Sequence, residues 1–340
     1  MPNNPQARDD REPIGELMLG ASRIQALAVA AELRIPDLLA ERPRSSAEIA
    51  SLTSVNQGAL HRLLRFLAAD NWVSILADGN FGMTAQLEPL TSDSPTGLRG
   101  YVLSTASRGW AIWSRLGDSV KTGKPAFDEI FGRSYFEEQR ANAESLAQFD
   151  AALAPGAAES GEALARIVEP AECVVDLGCG SGALLLEILR AWPAARGVAF
   201  DGPEALSLAR ERFAREGLGQ RVAMMSGDFF VEAPYGGDLY VLSLVLHDWD
   251  DEKCKLILRN CVAAMQPGAR LAIIERVVDE DPRVEPQAAY ADLGMLVMTG
   301  GRERTLAEFM ELVESSGLQY DGVERLGTNR DCWAIMASRR

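Results

Sequence analysis

From residue 173 onward the chain repeats one pattern: a short apolar run, a Gly, Pro or Asp, then a stretch of helical period. The apolar runs cover residues 173–177, 197–201, 222–226, 239–245 and 270–278. Helical segments at 183–191, 204–216 and 252–265 lie between several of them. Strands that are apolar on both faces, alternating with helices, bury themselves only in a mostly parallel sheet covered on both sides. Two further strand-like runs, 318–326 and 332–338, are joined by a short turn near Asn329-Arg330-Asp331. Their closeness predicts an antiparallel pair at the sheet edge.

The first half reads differently. Residues 13 to about 40 have helical spacing, with Leu17, Leu19, Ile24, Leu27, Ala28 and Ala31 on the apolar positions. A helix this rich in small and apolar residues needs another surface to pack on. Ser45 or Ser46 can cap a short helix with Glu48 in its first turn. Residues 58–67 form a second amphipathic helix. Then come residues 72–76, a turn at Asp78-Gly79-Asn80, and residues 81–83, which read as a hairpin. Two helices and a hairpin make a winged-helix arrangement. Residues 101 to about 165 look helical and connect the halves. Trp110 and Trp113 stand three apart there and read as core packing. At 340 residues, more than one domain is expected. The divisions are 1–100, a winged-helix domain; 101–165, a helical connector and active-site cover; and 166–340, the α/β domain.

Charge narrows the function. The chain carries a net charge of −15. Residues 1–100 hold nine Arg, no Lys and twelve acids. Phosphate binding needs a basic face, so neither a nucleic-acid nor an anionic-membrane partner is expected. The five cysteines, Cys173, Cys179, Cys254, Cys261 and Cys332, form no C-x-x-C pair. They read as reduced thiols, with no metal site. No uninterrupted apolar run reaches the roughly 18 residues of a membrane span, and residues 1–12 contain no signal-peptide core. A cytoplasmic protein is the expectation.

The first strand runs into Asp176-Leu177-Gly178-Cys179-Gly180-Ser181-Gly182. Glycines at this strand-to-helix turn let the backbone approach a ligand closely. The spacing alone fits a dinucleotide fingerprint, with Ala183 in the last position. Asp176 decides between the readings. A carboxylate at the strand end opposes a pyrophosphate but suits an ammonium group. S-adenosylmethionine carries an ammonium and no phosphate. Asp201 ends the next strand, where a carboxylate can accept both ribose hydroxyls. Asp228 follows the third strand, where it can accept from an adenine amino group while Phe229 or Phe230 stacks on the ring. Each acid alone is equally well a solvated turn residue; three at successive strand ends are not readily accidental. Ser243, near the end of the fourth strand, completes the cofactor set of Asp176, Gly178, Gly180, Gly182, Asp201, Asp228 and Phe229.

From about residue 14 to 337 the chain resembles the small-molecule O-methyltransferases of bacteria and plants. The resemblance rests on Val175–Gly182, Gly227-Asp228-Phe229-Phe230, Leu246-His247-Asp248-Trp249-Asp250-Asp251-Glu252 and Gly300-Gly301-Arg302-Glu303-Arg304-Thr305. It implies a winged-helix dimerisation domain, a Rossmann-like catalytic domain, S-adenosylmethionine as methyl donor, a homodimer and a His general base.

The chain has two histidines. His61 falls in the winged-helix region and reads as structural. His247 follows the fourth strand, at the edge where open α/β sheets bind ligands. A hydroxyl attacks a sulfonium methyl poorly while protonated. A base with pKa near neutrality removes the proton as oxygen attacks. A carboxylate can hold the imidazole in one tautomer, and Glu275 and Glu303 both qualify. Other readings stay open: a thioether or amine acceptor, for which His247 binds rather than abstracts; a non-methylating enzyme; and a regulator that binds DNA, which the acidic first domain disfavours. Nothing in the sequence names the acceptor.

Overall fold

Pro36 divides what reads as one apolar segment over 13–40. Helix α1 (Glu12–Glu32) stops, Arg34 takes a left-handed conformation (φ 54°), and α2 (Ile35–Glu41) starts with Pro36 in its first turn. Proline lacks an N–H and its ring clashes with the preceding helical turn, which favours a break here. The computed structural model describes residues 12–94, 96, 98–327 and 332–340. The turn expected at Asn329-Arg330-Asp331 lies outside them.

The chain divides into two compact units, Met1–Ala111 and Ile112–Arg340. In the first, Ser45 rather than Ser46 caps α3 (Ser46–Thr53), accepting from the Glu48 N–H. Asn56 caps α4 (Gln57–Ala69), which buries Leu60, Leu64 and Leu67 along one stripe. The hairpin forms as expected: β1 (Ser74–Ile75) pairs antiparallel with β2 (Phe81–Gly82). Asp78 accepts from the Asn80 N–H to close its turn. Helix α5 (Leu98–Ser104) follows. Leu27, Ala30, Ile35, Ile49, Leu64 and Phe81 form the core of this unit.

Helix α1 keeps a face uncovered: Ile14, Leu17 and Met18 are 59%, 71% and 68% exposed. Residues Pro13–Glu32 form one helix long and apolar enough, by length and composition, to cross a membrane. The absence of an uninterrupted apolar run therefore did not settle this. Glu16 and Arg23 interrupt the segment, and Arg23 pairs with Asp70 and Glu16.

The second unit begins with a run of helices. They are α6 (Trp110–Trp113, entered from the first unit), α7 (Leu116–Thr122), α8 (Ala126–Phe131), α9 (Tyr135–Ala141) and the long α10 (Ala143–Ile167). Trp113 stacks on Tyr290 with ring centroids 5.7 Å apart, while Trp110 is half exposed.

Seven strands then build one sheet. They are β3 (Cys173–Leu177), β4 (Arg196–Asp201), β5 (Val222–Ser226), β6 (Leu239–Ser243), β7 (Arg270–Arg276), β8 (Gln319–Leu326) and β9 (Cys332–Ser338). Their order is β5-β4-β3-β6-β7-β9-β8. The first five are parallel, and β9 joins β7 and β8 antiparallel. Two strands end earlier than their apolar runs: β6 at Ser243, before left-handed Leu244 (φ 54°), and β7 at Arg276.

Strand alternation sorts the core onto two faces. Val174, Ala199 and Val241 pack with α11 (Ala183–Ala191) and α12 (Pro203–Arg215). Val175, Phe200 and Leu242 pack with α13 (Asp251–Ala264) and α15 (Leu306–Ser315). Helix α14 (Pro286–Met298) supplies Val297 to a smaller cluster with Ile112, Phe127 and Tyr135.

Candidate active site

The strand order reverses at β3, with β4 on one side and β6 on the other. The carboxyl ends of strands flanking such a reversal leave a crevice, because their crossovers go to opposite faces. A cavity of about 310 Å³ opens there. Its wall includes Asp176, Gly178, Gly180, Asp201, Asp228, Phe229 and Ser243. Gly182, grouped with these from the sequence, is not on the wall. It takes a left-handed conformation at the start of α11, and a β-carbon there would lie 2.5 Å from the Phe213 ring. Its role is the approach of α11 to α12.

Asp176 is 2% exposed and its Oδ2 has no hydrogen-bond partner. Burial, with Asp201 nearby, pushes its carboxyl up to about 7. Asp201 accepts from the Gly180 N–H (2.9 Å) and the Gly202 N–H (2.6 Å), tying the glycine loop to the end of β4. Burial raises its pKa, and these two bonds oppose the rise. Asp228 accepts from the Phe230 N–H. Phe229, Phe230 and Trp249 form an aromatic group, with Phe230 and Trp249 centroids 4.8 Å apart.

Helices α9 and α10 supply wall residues that the sequence reading missed. Phe136, Gln139, Arg140 and Asp150 are among them. Asp150 accepts from the Ser181 N–H (3.1 Å) and pairs with Arg212 at 3.4 Å. Arg140 is the one Lys or Arg on the wall among the described residues. No local signal marks these positions, since they reach the glycine loop only through packing of α10 on α11.

His247 lies in a short turn, Leu246–Asp248, directly after β6. Its Nδ1 is 3.1 Å from Glu303 Oε1 and 3.6 Å from Glu275 Oε2, and its Nε2 is 3.7 Å from Asp248 Oδ2. The cavity wall reaches Asp248. The two glutamates are not equivalent. Glu303 makes the imidazole hydrogen bond. Glu275 Oε1 accepts from the N–H groups of Val245 (3.0 Å) and Leu246 (2.7 Å), so it holds the turn.

Burial disfavours imidazolium, but Glu275, Asp248 and Glu303 outweigh burial and raise His247 to about 10. The neutral range expected for this base is thus not that of the free site. The reason is three surrounding carboxyl groups: Glu275 and Glu303, both candidates from the sequence, and Asp248, which was not. Burial in turn raises Asp248 to about 7.

The donor atoms of His247, Glu275 and Glu303 lie within 4.8 Å of one another, a set able to hold a cation. Arg276 already places a guanidinium 3.3 Å from Glu303 Oε1, and Glu275 Oε1 is occupied by backbone N–H groups.

The chain matches the O-methyltransferase domain over residues 113–319 and the O-methyltransferase dimerisation domain over residues 15–84. It is 37% identical to the phenazine O-methyltransferase PhzM of Lysobacter antibioticus, covering 91% of each chain. The solved structure of the mitomycin 7-O-methyltransferase MmcR superposes with a TM-score of 0.91 at 32% identity, covering 97% of this chain and 98% of that one. An aclacinomycin 10-hydroxylase, RdmB of Streptomyces purpurascens, is also similar, at 34% identity over 86% of this chain and 80% of its own. A matched catalytic domain, a matched dimerisation domain and full-length likeness to such enzymes place this chain in the S-adenosylmethionine-dependent O-methyltransferase family.

Proposed function

We propose that the protein methylates a hydroxyl of an aromatic or polyketide-like small molecule, with His247 as the base. The observation that carries this reading is the direction of the imidazole. Nδ1 is committed to Glu303 at 3.1 Å, which leaves Nε2 to accept a proton. Nε2 lies beside cavity-wall Asp248.

The cavity residues fit S-adenosylmethionine. Asp176 offers a buried carboxylate oxygen without a partner, suited to the ammonium group. Asp201 would take the ribose hydroxyls, and Asp228 with Phe229 the adenine. Bound there, S-adenosylmethionine supplies an electrophilic methyl group on a sulfonium. His247 Nε2 would take the acceptor O–H proton as the oxygen bonds the methyl carbon and the carbon–sulfur bond breaks to leave S-adenosylhomocysteine, and Glu303 would stabilise the resulting imidazolium. The rest of the rate comes from holding acceptor and methyl in line.

Asp201→Ala is expected to weaken S-adenosylhomocysteine binding by about 1–3 kcal/mol. It removes the ribose contacts together with the bond that shapes the Gly180 turn. Calorimetry would show this, and would show no binding of NAD. NAD bound in preference to S-adenosylhomocysteine would reject the cofactor assignment.

The reaction class is tested by offering phenols, thioethers and amines with isotope-labelled donor, and reading methyl gain by mass. Transfer to thioethers or amines alone, or hydroxylation without methyl gain as in the RdmB relative's name, would overturn the O-methyl reading.

On the uncovered face of α1, Leu17 and Met18 lie within the matched dimerisation domain and Ile14 directly precedes it. This face supports a homodimer in preference to membrane insertion. An obligate interface of this kind buries more than about 2,000 Å². Light scattering is expected to give twice the chain mass at micromolar concentration; a monomer would reject the assignment.

A further inference from the structure

We propose that Arg304 is a positioning residue for His247, holding the carbonyls on both sides of that residue so that the imidazole stays aimed at the acceptor. The inference rests on the reading of His247 as base. It concerns a side chain that is not itself a cavity-wall residue and meets the wall through the Trp249 carbonyl.

Arg304 is fully buried, at 0% exposure. Burying a guanidinium costs several kcal/mol unless its donors are satisfied. Its donors go to the histidine turn: Nη1 donates to the Leu246 carbonyl (2.9 Å) and Nη2 to the Trp249 carbonyl (2.7 Å). Nε and Nη2 also bind Asp251 Oδ1, at 3.0 and 2.8 Å, at the start of α13. Between these two carbonyls, the His247 carbonyl accepts from the Arg302 N–H at 2.8 Å. The turn's N–H groups, on the other side, are held by Glu275.

The turn has two long backbone bonds of its own, from the Asp248 N–H to the Val245 carbonyl (3.3 Å) and from the Trp249 N–H to the Leu246 carbonyl (3.2 Å), and buried carbonyls left underpaired are costly. The backbone also leaves β6 through left-handed Leu244, a conformation that persists only where its surroundings impose it. Leu244 itself is tied to β7, its N–H donating to the Ile274 carbonyl (2.9 Å), and the turn that follows it is tied by the brace. An apolar side chain of similar size could fill the space but could not bind the carbonyls.

The brace is itself anchored. The Arg304 carbonyl accepts from the Val278 N–H (2.9 Å), extending β7. Thr305 forms a capping box with Glu308 at the start of α15, and the Glu303 N–H donates to Asp292. Gly301 permits the close approach, since a β-carbon there would lie 2.0 Å from the His247 carbonyl oxygen. Consecutive residues thus divide the work: Glu303 holds the ring and Arg304 holds the backbone beneath it.

The test uses the full-length enzyme saturated with S-adenosylhomocysteine and labelled with ¹⁵N-histidine. Only His61 and His247 report, and exposed His61 serves as the internal control. In Arg304→Lys, the His247 ring signals and their titration are expected to move while those of His61 stay. With an acceptor in hand, kcat should fall about 100-fold, the scale of a misplaced catalytic group, with little change in KM.

A moved His247 signal with unchanged kcat would still support positioning and would count against the base. An unmoved signal with wild-type kcat overturns the proposal, whatever His247→Ala does. If Arg304→Lys does not fold, half-exposed Asp251→Ala decides. It should show smaller changes of the same sign, and a His247 signal identical to wild type would overturn the proposal.

Discussion

Replacing His247 with alanine is expected to cut kcat by roughly 10²- to 10⁴-fold while leaving S-adenosylhomocysteine affinity nearly intact. The affinity should hold because the proposed cofactor residues lie on the glycine loop and at the ends of β3, β4, β5 and β6, outside the histidine turn Leu246–Asp248. Glu303→Gln should cost less, because it keeps a hydrogen-bond partner for Nδ1 but removes the charge that stabilises imidazolium. Glu275→Gln should act on folding of the turn as well as on rate, since Glu275 binds the Val245 and Leu246 N–H groups.

The pH dependence follows from the carboxyl groups around the ring. His247 in the free enzyme stays protonated until about pH 10. Only neutral imidazole accepts a proton, so kcat/KM, which reports the free enzyme, should climb from pH 6 toward 10. This limb should vanish in His247→Ala. A wild-type kcat/KM that levels off near pH 7 would show that the carboxyl groups do not control the base. A His247→Ala enzyme with unchanged kcat would move the assignment to S- or N-methylation or to a non-methylating reaction.

The second large effect is expected at Asp176. Removing one partner of a buried charge pair costs about 2–5 kcal/mol, so Asp176→Ala should weaken S-adenosylhomocysteine binding by that amount. The ligand's ammonium favours ionised Asp176, whereas the empty site holds its carboxyl up at about 7. Below that pH a proton must leave before the ion pair forms. Affinity should therefore fall by up to about tenfold per pH unit below 7 and level off above it. Calorimetry from pH 5.5 to 8.5 measures both the affinity and the proton released. Asp176→Asn should remove the slope; a flat wild-type profile would exclude Asp176 as the ammonium partner.

Much of this could be read along the chain because local chemistry is periodic. Apolar runs alternating with helical segments determined an α/β sheet with an antiparallel edge. Asp176, Asp201 and Asp228 at successive strand ends marked the cofactor crevice, since parallel strands bring their carboxyl ends to one side. His247 stood out as one of only two histidines, and it follows a strand. Other features depended on contacts between distant segments, which no local pattern carries. Asp150 reaches the glycine loop only because α10 packs on α11. Gly182 proved to be a packing position once Phe213 stood against it. The choice between Glu275 and Glu303 was undecidable from spacing, because both come within 4 Å of the same ring nitrogen. It took the fold to show that one binds the ring while the other binds the backbone. The His247 pKa was likewise out of reach, since it depends on three carboxyl groups gathered around a buried imidazole from the turn after β6, from β7 and from the loop before α15.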